Sequence, residues 1–245
     1  MLVLREDQEG VATLTLNRPD KLNAINPALM VDLRNHLDAL ATDESIGCVV
    51  LTGAGRSFCA GHDLGAITEG THAPTKHFEP ETIDALENLP QPTIAKIRGH
   101  CFTGGLELAL GCDLLVGHEE AKLGDTHGQW GLAPIWGMSV RLPERVGRSK
   151  AKELMFTSRR ISGTDAAEIG LLDHVVPEAE LDAFVAGLSA EIAANSWGTN
   201  RIAKSLLRAG AERSREQALV HERFLPFGMP KDSRERLKAR PGGKK

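Results

Sequence analysis

The chain has no run of apolar residues approaching the ~18 that a membrane-crossing helix needs, so no membrane span is expected. It has no Cys-x-x-Cys pair. Its four cysteines, Cys48, Cys59, Cys101 and Cys112, are scattered through the first half, which argues against a disulfide framework or a zinc site and points to reduced thiols in a cytoplasmic protein. It has no excess of positive charge. Lys+Arg is 29 against 33 Asp+Glu, a net charge of −4, whereas a dedicated nucleic-acid binder carries a basic face. The opening MLVLREDQEG lacks a basic leader and reaches acidic residues by position 6, so no signal peptide is expected. No repeat of 20–50 residues stands out. Tyrosine is absent, and that absence carries no functional argument. What remains, 245 residues with 41% hydrophobic and 25% charged, is the profile of a folded globular protein of one or two domains.

The first half alternates strands and helices. Leu2–Leu4 and Val11–Leu16 flank a Gln8-Glu9-Gly10 turn and predict a β-hairpin. Asn26-Pro27 opens a helix, with Asn26 as N-cap and Leu29, Met30, Leu33, Leu37 and Leu40 as its apolar stripe. Gly47–Gly53 is a continuous apolar run, as a buried strand requires. A helix over 81–89, a strand over 93–97, a helix over 106–110 and a strand over 113–117 follow. Helices are then predicted over 148–157, 164–169, 178–194, 199–209 and 213–225, with a strand over 171–176. Segments 69–80 and 124–138 read as mobile loops, and 231–245 as a charged tail that frays at its tip. The fold class is α/β, with a core over 1–195 and a helical region over 196–245 that packs on the core or on a neighbouring subunit.

Two glycine-rich segments carry chemistry. In Gly53-Ala-Gly55-Arg-Ser-Phe58-Cys-Ala60-Gly61-His62-Asp63-Leu64 the third glycine of a dinucleotide fingerprint is missing. The local alternative is a plain turn. Ala60-Gly61, however, permits close backbone approach, and Asp63 can cap a helix beginning just after it. In Arg98-Gly-His100-Cys101-Phe102-Thr103-Gly104-Gly105-Leu106-Glu107, paired glycines open a helix whose first N–H groups lack an intrahelical acceptor. Helical side chains lean toward the N-terminus, so the Glu107 carboxyl should hang over the Gly104 turn. Its neighbours Leu106, Leu108, Ala109 and Leu110 would raise its pKa if they buried it, which suits proton transfer. The local alternative is a solvated surface glutamate.

Taken in order, these and other segments resemble the enoyl-CoA hydratase/isomerase (crotonase) superfamily. The matching residues are Leu16-Asn17-Arg18-Pro19-x-x-x-Asn23-Ala24, Val49–Gly53-x-Gly55, Phe58–Leu64, Gly104–Leu110-x-Cys112-Asp113, Gly131-Leu132-x-Pro134 and Ala166-x-x-x-Gly170-Leu171-Leu172-x-x-Val175-Val176. The resemblance implies a crotonase-like spiral of ββα units with a C-terminal helical trimerisation region. It implies an acyl-CoA thioester as substrate, with no metal and no separate cofactor, and a homotrimer or dimer of trimers. It places an oxyanion hole at the backbone N–H groups of His62 and Gly104, which would stabilise an enolate. It also implies substrate and CoA contacts at Lys21, Ala24, Ala60, Asp63 and Leu64, with Arg56, Lys204 and Phe224 as further candidates.

Hydratases of this family use two glutamates. Glu107 matches the first. The second position, aligned between Gly124 and Gly131-x-x-Pro134, is His127. Three readings follow. His127 substitutes as an acid/base, with Asp125 orienting its ring. Or Glu107 acts alone, as in an isomerase-type reaction. Or the protein binds acyl-CoA without turnover. The expectation is an enoyl-CoA hydratase-like enzyme with Glu107 and His127 as catalytic residues. Trp130 and Trp136 are expected to wall the acyl tunnel or pack in the core. The cysteines are expected to be small buried hydrophobes. His72 and His77 lack a third ligand, so no metal site is expected.

Overall fold

The computed structural model of the chain describes residues 1–68, 72–224 and 228–239. Strands β1 (Val3–Gln8) and β2 (Val11–Leu16) form the predicted hairpin. Glu9 and Gly10 make its two-residue turn at φ 49° and 79°, the left-handed conformations that match the strands' own twist. Ala12, Leu14 and Leu16 alternate inward and are fully buried. Helix α1 (Pro27–Ala41) starts where predicted, because the Asn26 side chain accepts a hydrogen bond from the Leu29 N–H at 2.9 Å. Then come β3 (Cys48–Gly53), α2 (Leu64–Thr68), α3 (Phe78–Glu87), β4 (Thr93–Ile97), β5 (His100–Phe102), α4 (Gly104–Leu110), β6 (Leu114–His118), β7 (Lys122–Gly124) and α5 (His127–Trp130). Next are α6 (Met138–Thr157), β8 (Ile161–Ser162), α7 (Gly163–Glu168), β9 (His174–Val176), α8 (Leu181–Ala194), α9 (Trp197–Ala211), α10 (Arg215–Arg223) and α11 (Ser233–Lys238).

Among the described residues one sheet runs in the order β1-β2-β3-β4-β6-β9 and a second in the order β5-β7-β8. All pairs beyond β1–β2 in the first sheet are parallel. Consecutive strands β4 and β5 belong to different sheets and lead into α4. Strands β6 and β7 repeat the move and lead into α5. This recurring ββα turn is the predicted spiral. Helices α1, α3 and α4 cover the core through Leu29, Leu33, Leu37, Ile83, Leu86, Leu106 and Leu108, and α8 covers the opposite face through Leu181 and Val185. All four cysteines are free and buried.

Several boundaries differ from the sequence reading. Helix α3 begins at Phe78, not Glu81, because Pro80 falls in its first turn, where no N–H is required. The loop predicted over 124–138 contains a short helix: β7 ends at Gly124, α5 occupies His127–Trp130, and α6 starts at Met138. Only the second half of α6 shows in the sequence, because Gly147 (φ 74°, ψ 158°) breaks the helical path and restarts the pattern. The strand expected from 171 begins at His174, since the Leu171 and Leu172 N–H groups both turn back to the Ala166 carbonyl. The second sheet had no counterpart in the sequence reading. Its strands have two or three residues, too few to show an alternation. Residues 69–71 of the first predicted loop, residue 225 of the last long helix and 240–245 of the tail lie outside the described residues.

Asn23 joins two loops. Fully buried at φ 57°, it accepts from the Arg18 N–H at 2.9 Å and donates to the carbonyls of Ala54 and Ser57 at 2.9 and 2.7 Å. It thereby ties the 17–24 turn to the segment that leads into Phe58–Asp63. Replacing it by alanine leaves one buried N–H and two carbonyls without partners, at a cost of about 1–3 kcal/mol for an unsatisfied group, partly relieved by water entry. Urea titration of Asn23→Ala should show the unfolding free energy lowered by about 3 kcal/mol. A loss under about 1 kcal/mol would show that the tie carries little of the structure.

Candidate active site

Helix α4 begins at a turn of unusual conformation. Its N-cap, Thr103, sits at φ 52° and ψ −116°, a region that costs a non-glycine residue on the order of 1–3 kcal/mol and is held only by its surroundings. The Thr103 N–H donates to the Gly124 carbonyl at 3.0 Å. Its hydroxyl shares a 2.5 Å hydrogen bond with the Thr126 hydroxyl and accepts from the Thr126 N–H at 3.3 Å. The turn before Gly104 is thus fastened to the turn before His127.

The two predicted oxyanion donors come together. A Cβ built on Gly104 would lie 3.6 Å from the His62 nitrogen, and one built on Gly61 would lie 3.7 Å from the Gly104 nitrogen. His62 forms an isolated bridge with Ile25, in which Ile25 donates to the Gly61 carbonyl and Asp63 donates to the Ile25 carbonyl. That bridge leaves the His62 N–H on the other side of the strand. Among the described residues neither this N–H nor that of Gly104 has a hydrogen-bond partner. Gly61 holds φ 104°, where a side chain would be strained and would press on the Phe102 carbonyl at 3.0 Å. Glycine is required there for the two strands to approach.

Glu107 lies one turn along α4 and is 1% exposed, so the solvated-glutamate alternative does not hold. Its Oε1 accepts from the backbone N–H groups of Trp136 and Met138 at 3.0 and 3.2 Å. Its Oε2 stands 3.6 Å from His127 Nε2. Burial pushes the carboxyl up to about 7. The His127 charge and the Met138 and Trp136 N–H groups work against this, and the charge of Asp125 adds to it. On the far side of the ring, His127 Nδ1 meets Asp125 Oδ1 at 2.5 Å, and the same oxygen accepts from the His127 N–H at 3.1 Å. Burial pulls the His127 pKa down, but the Asp125 hydrogen bond and the charges of Glu107 and Asp125 outweigh it and leave the pKa raised. Asp125 Oδ1 already accepts from the His127 N–H, so Nδ1 is placed to donate to the same oxygen and Nε2 faces Glu107 as the exchanging atom.

Trp136 closes the group. Its ring packs on the His62 ring with centroids 5.0 Å apart, and a Cβ on Gly104 would come within 2.6 Å of its Cζ3. Arg141 fixes the turn: Nη1 donates to the Trp136 carbonyl at 2.9 Å, while Nε and Nη2 bind Glu87 and Asp84 on α3. The expectation for the two tryptophans divides, since Trp136 is buried while Trp130 is 56% exposed. The sequence reading missed three contributors: the Trp136 and Met138 N–H groups, the Thr103–Thr126 pair and Arg141. The first two act through backbone geometry or pairing across 23 residues, which leaves no local pattern.

Of the other expected contacts, Lys21 and Asp63 line a cleft of about 650 Å³ together with Arg18, Asn26, Pro27 and His72, among others, and Ala24, Ala60 and Leu64 do not line it. Asp63 Oδ1 accepts from the Gly65 N–H at 3.1 Å and so caps α2, and Oδ2 pairs with Arg18 at 2.9 Å. Arg18 also donates to the Ala24 carbonyl, and the Ala60 N–H donates to the Leu22 carbonyl at 3.0 Å. Leu64, first in α2, is 38% exposed. Lys204 is committed elsewhere, to Asp113 at 2.7 Å and the Gln91 carbonyl at 3.0 Å. Phe224 is 80% exposed at the end of α10. Burial pushes the thiols of Cys48, Cys59 and Cys112 up to about 12, far from the thiolate a nucleophile needs. Among the described residues no group of three or more His, Cys, Asp or Glu could hold a metal ion, and no helix is long and apolar enough to cross a membrane.

Comparison with known proteins decides the family. The family model described as "Enoyl-CoA hydratase/isomerase" matches residues 6–238. The chain belongs to the enoyl-CoA hydratase/isomerase family. It is 36% identical to the 2,3-dehydroadipyl-CoA hydratase of Escherichia coli, over 89% of this chain and 86% of that one. It is 31% identical to the short-chain-enoyl-CoA hydratase of Clostridium acetobutylicum, over 90% and 86%. The crystal structure of an enoyl-CoA hydratase from Bacillus anthracis superposes with a TM-score of 0.90 at 32% identity, covering 98% of this chain and 95% of that one. The crotonase fold expected from the sequence is therefore the fold of the chain.

The raised pKa of Glu107 has a consequence for stability. Between its unfolded value near 4.5 and its folded value of about 7, the native state holds a proton that the unfolded chain has released. This favourable contribution is complete below pH 4.5 and is lost as pH rises through 7. Glu107→Gln lacks it. Urea titrations at several pH values should show the stability difference moving in favour of the variant by about 3 kcal/mol from pH 4.5 to above 7. A difference that stays constant with pH would show that the carboxyl is not held in this way.

Proposed function

We propose that this chain is an enoyl-CoA hydratase-like enzyme that adds water across the 2,3 double bond of an enoyl-CoA thioester. The observation that carries the reading is the buried Glu107 carboxyl, fixed by two N–H groups, facing an Asp125-oriented His127 and lying one helical turn from the unpartnered Gly104 N–H. The His62 and Gly104 N–H groups bind the thioester oxygen and take up the charge that develops there, an interaction worth about 3 kcal/mol per donor. Glu107 and His127 address one water between them. Its oxygen bonds to the β-carbon as its proton passes to this pair, and Glu107 returns a proton to the α-carbon. The enolate between these events is what the amide pair stabilises. In this reading His127 fills the second acid/base position.

The CoA portion enters along the cleft beside Lys21, Ala24, Ala60, Asp63 and Leu64. Lys21 is the exposed cation for a phosphate, while Asp63 shapes the wall through Arg18 and the α2 cap. We assign no metal and no separate cofactor. The chain divides into a spiral core over 1–195 and a helical region over 196–245. Phe156, Leu207 and Phe224, each 77–80% exposed, support assembly as a homotrimer or dimer of trimers. Buried thiols fit a reducing, cytoplasmic location.

Loss of absorbance of the crotonyl-CoA thioester provides the test. Wild type should hydrate it, and Glu107→Gln and His127→Ala should each lower kcat ~100-fold or more. His62→Ala should stay within ~10-fold, because the donor is its backbone. Undiminished hydration by Glu107→Gln would overturn the mechanism. Double-bond migration in a 3-enoyl-CoA without water uptake would assign the isomerase-type reaction instead.

A further inference from the structure

Hydration needs a base and an acid, and the Glu107–His127 pair meets both needs. The Asp125–His127 contact supplies something more. A carboxylate bonded to one ring nitrogen leaves the other as a base of fixed tautomer that both takes and returns a proton, the unit that activates water or hydroxyl nucleophiles in acyl transfer. Here that unit is fastened to one of the two oxyanion donors. The Thr103 and Thr126 hydroxyls join at 2.5 Å, so the residue before Gly104 is tied to the residue before His127. The 3.6 Å between His127 Nε2 and Glu107 Oε2 is too long for a direct hydrogen bond, which leaves Nε2 able to engage a water.

We propose that the same site also hydrolyses saturated acyl-CoA thioesters, with His127 as the catalytic base and Asp125 as its positioning residue. The proposal rests on the acyl-thioester reading of the site. A saturated chain has no double bond, so its electrophile is the carbonyl carbon. Water's oxygen bonds to that carbon as its proton passes to His127 Nε2. The carbonyl's π pair moves to its oxygen, which the His62 and Gly104 N–H groups hold. When the oxygen's pair returns, the C–S bond breaks, and sulfur leaves with the bonding pair and takes the proton back from Nε2. One thioester and one water give one carboxylic acid and one thiol, with no change in oxidation state.

The test uses the full chain with butyryl-CoA in ¹⁸O-enriched water. Free CoA is separated by chromatography and butyrate is read by mass. Wild type should release CoA ~100-fold or more above the buffer rate and place one ¹⁸O in each butyrate formed from a single attack. His127→Ala and Asp125→Asn should each lower the release rate ~100-fold, in kcat and not in KM. Circular dichroism verifies that they are folded, and the wild-type isotope result decides the matter if either is not. Crotonyl-CoA is assayed in parallel. A wild type that hydrates crotonyl-CoA and leaves butyryl-CoA intact overturns hydrolysis alone. One that does neither overturns the acyl-CoA reading with it. Release that persists in folded His127→Ala also overturns the proposal.

Discussion

A carboxyl group buried with a histidine, and with neither an arginine nor a lysine, as its charged partner is the constraint on which the centre of this molecule is built. Removing a carboxylate from water costs several kcal/mol unless hydrogen bonds replace the solvent. Here two backbone N–H groups supply the hydrogen bonds, and an imidazole stands 3.6 Å from the other oxygen. An arginine or lysine in their place would hold the carboxylate firmly ionised and end its use as a proton donor. Two N–H groups and a histidine leave its pKa near neutrality instead, so both protonation states are populated where cells operate. The rest of the site maintains this balance. Arg141, a half-buried cation nearby, spends its charge on Asp84 and Glu87 and reaches the site through the Trp136 carbonyl.

The second constraint is close approach of backbones. Two N–H groups from different segments can converge on one oxygen only if no Cβ intervenes. Gly61, Gly104 and Gly105 supply that clearance against Phe102, Trp136 and Cys59 respectively. Thr103, in the same turn, is held in its strained conformation by hydrogen bonds to Gly124 and Thr126. Strain stored beside preorganised donors is a recurrent feature of catalytic sites. In this chain the fastening also fixes where His127 stands.

The start of α1, the hairpin and the core stripe of α1 were legible because they depend on neighbours within a few residues. Asn26 caps α1 through a residue three positions away, and Val11–Leu16 alternates with the period of its own strand. The ordered motifs carried the family, and with it the positions of His62, Gly104, Glu107 and His127. The short strands of the second sheet, the start of α6 and the partners of Glu107 were not legible. A three-residue strand is defined by what it pairs with, not by its own pattern.

The sequence by itself determined the α/β class, the spiral's family, and which residue types stand at the two acid/base positions, since each of these is written in local pattern or in ordered motif spacing. The tertiary structure alone decided that Glu107 is buried and not solvated, that its partners are the N–H groups of residues 29 and 31 positions away, and that Asp125 holds His127 at 2.5 Å. Protonation behaviour depends on solvent access and on the distances between charges. Both arise only when distant parts of the chain meet.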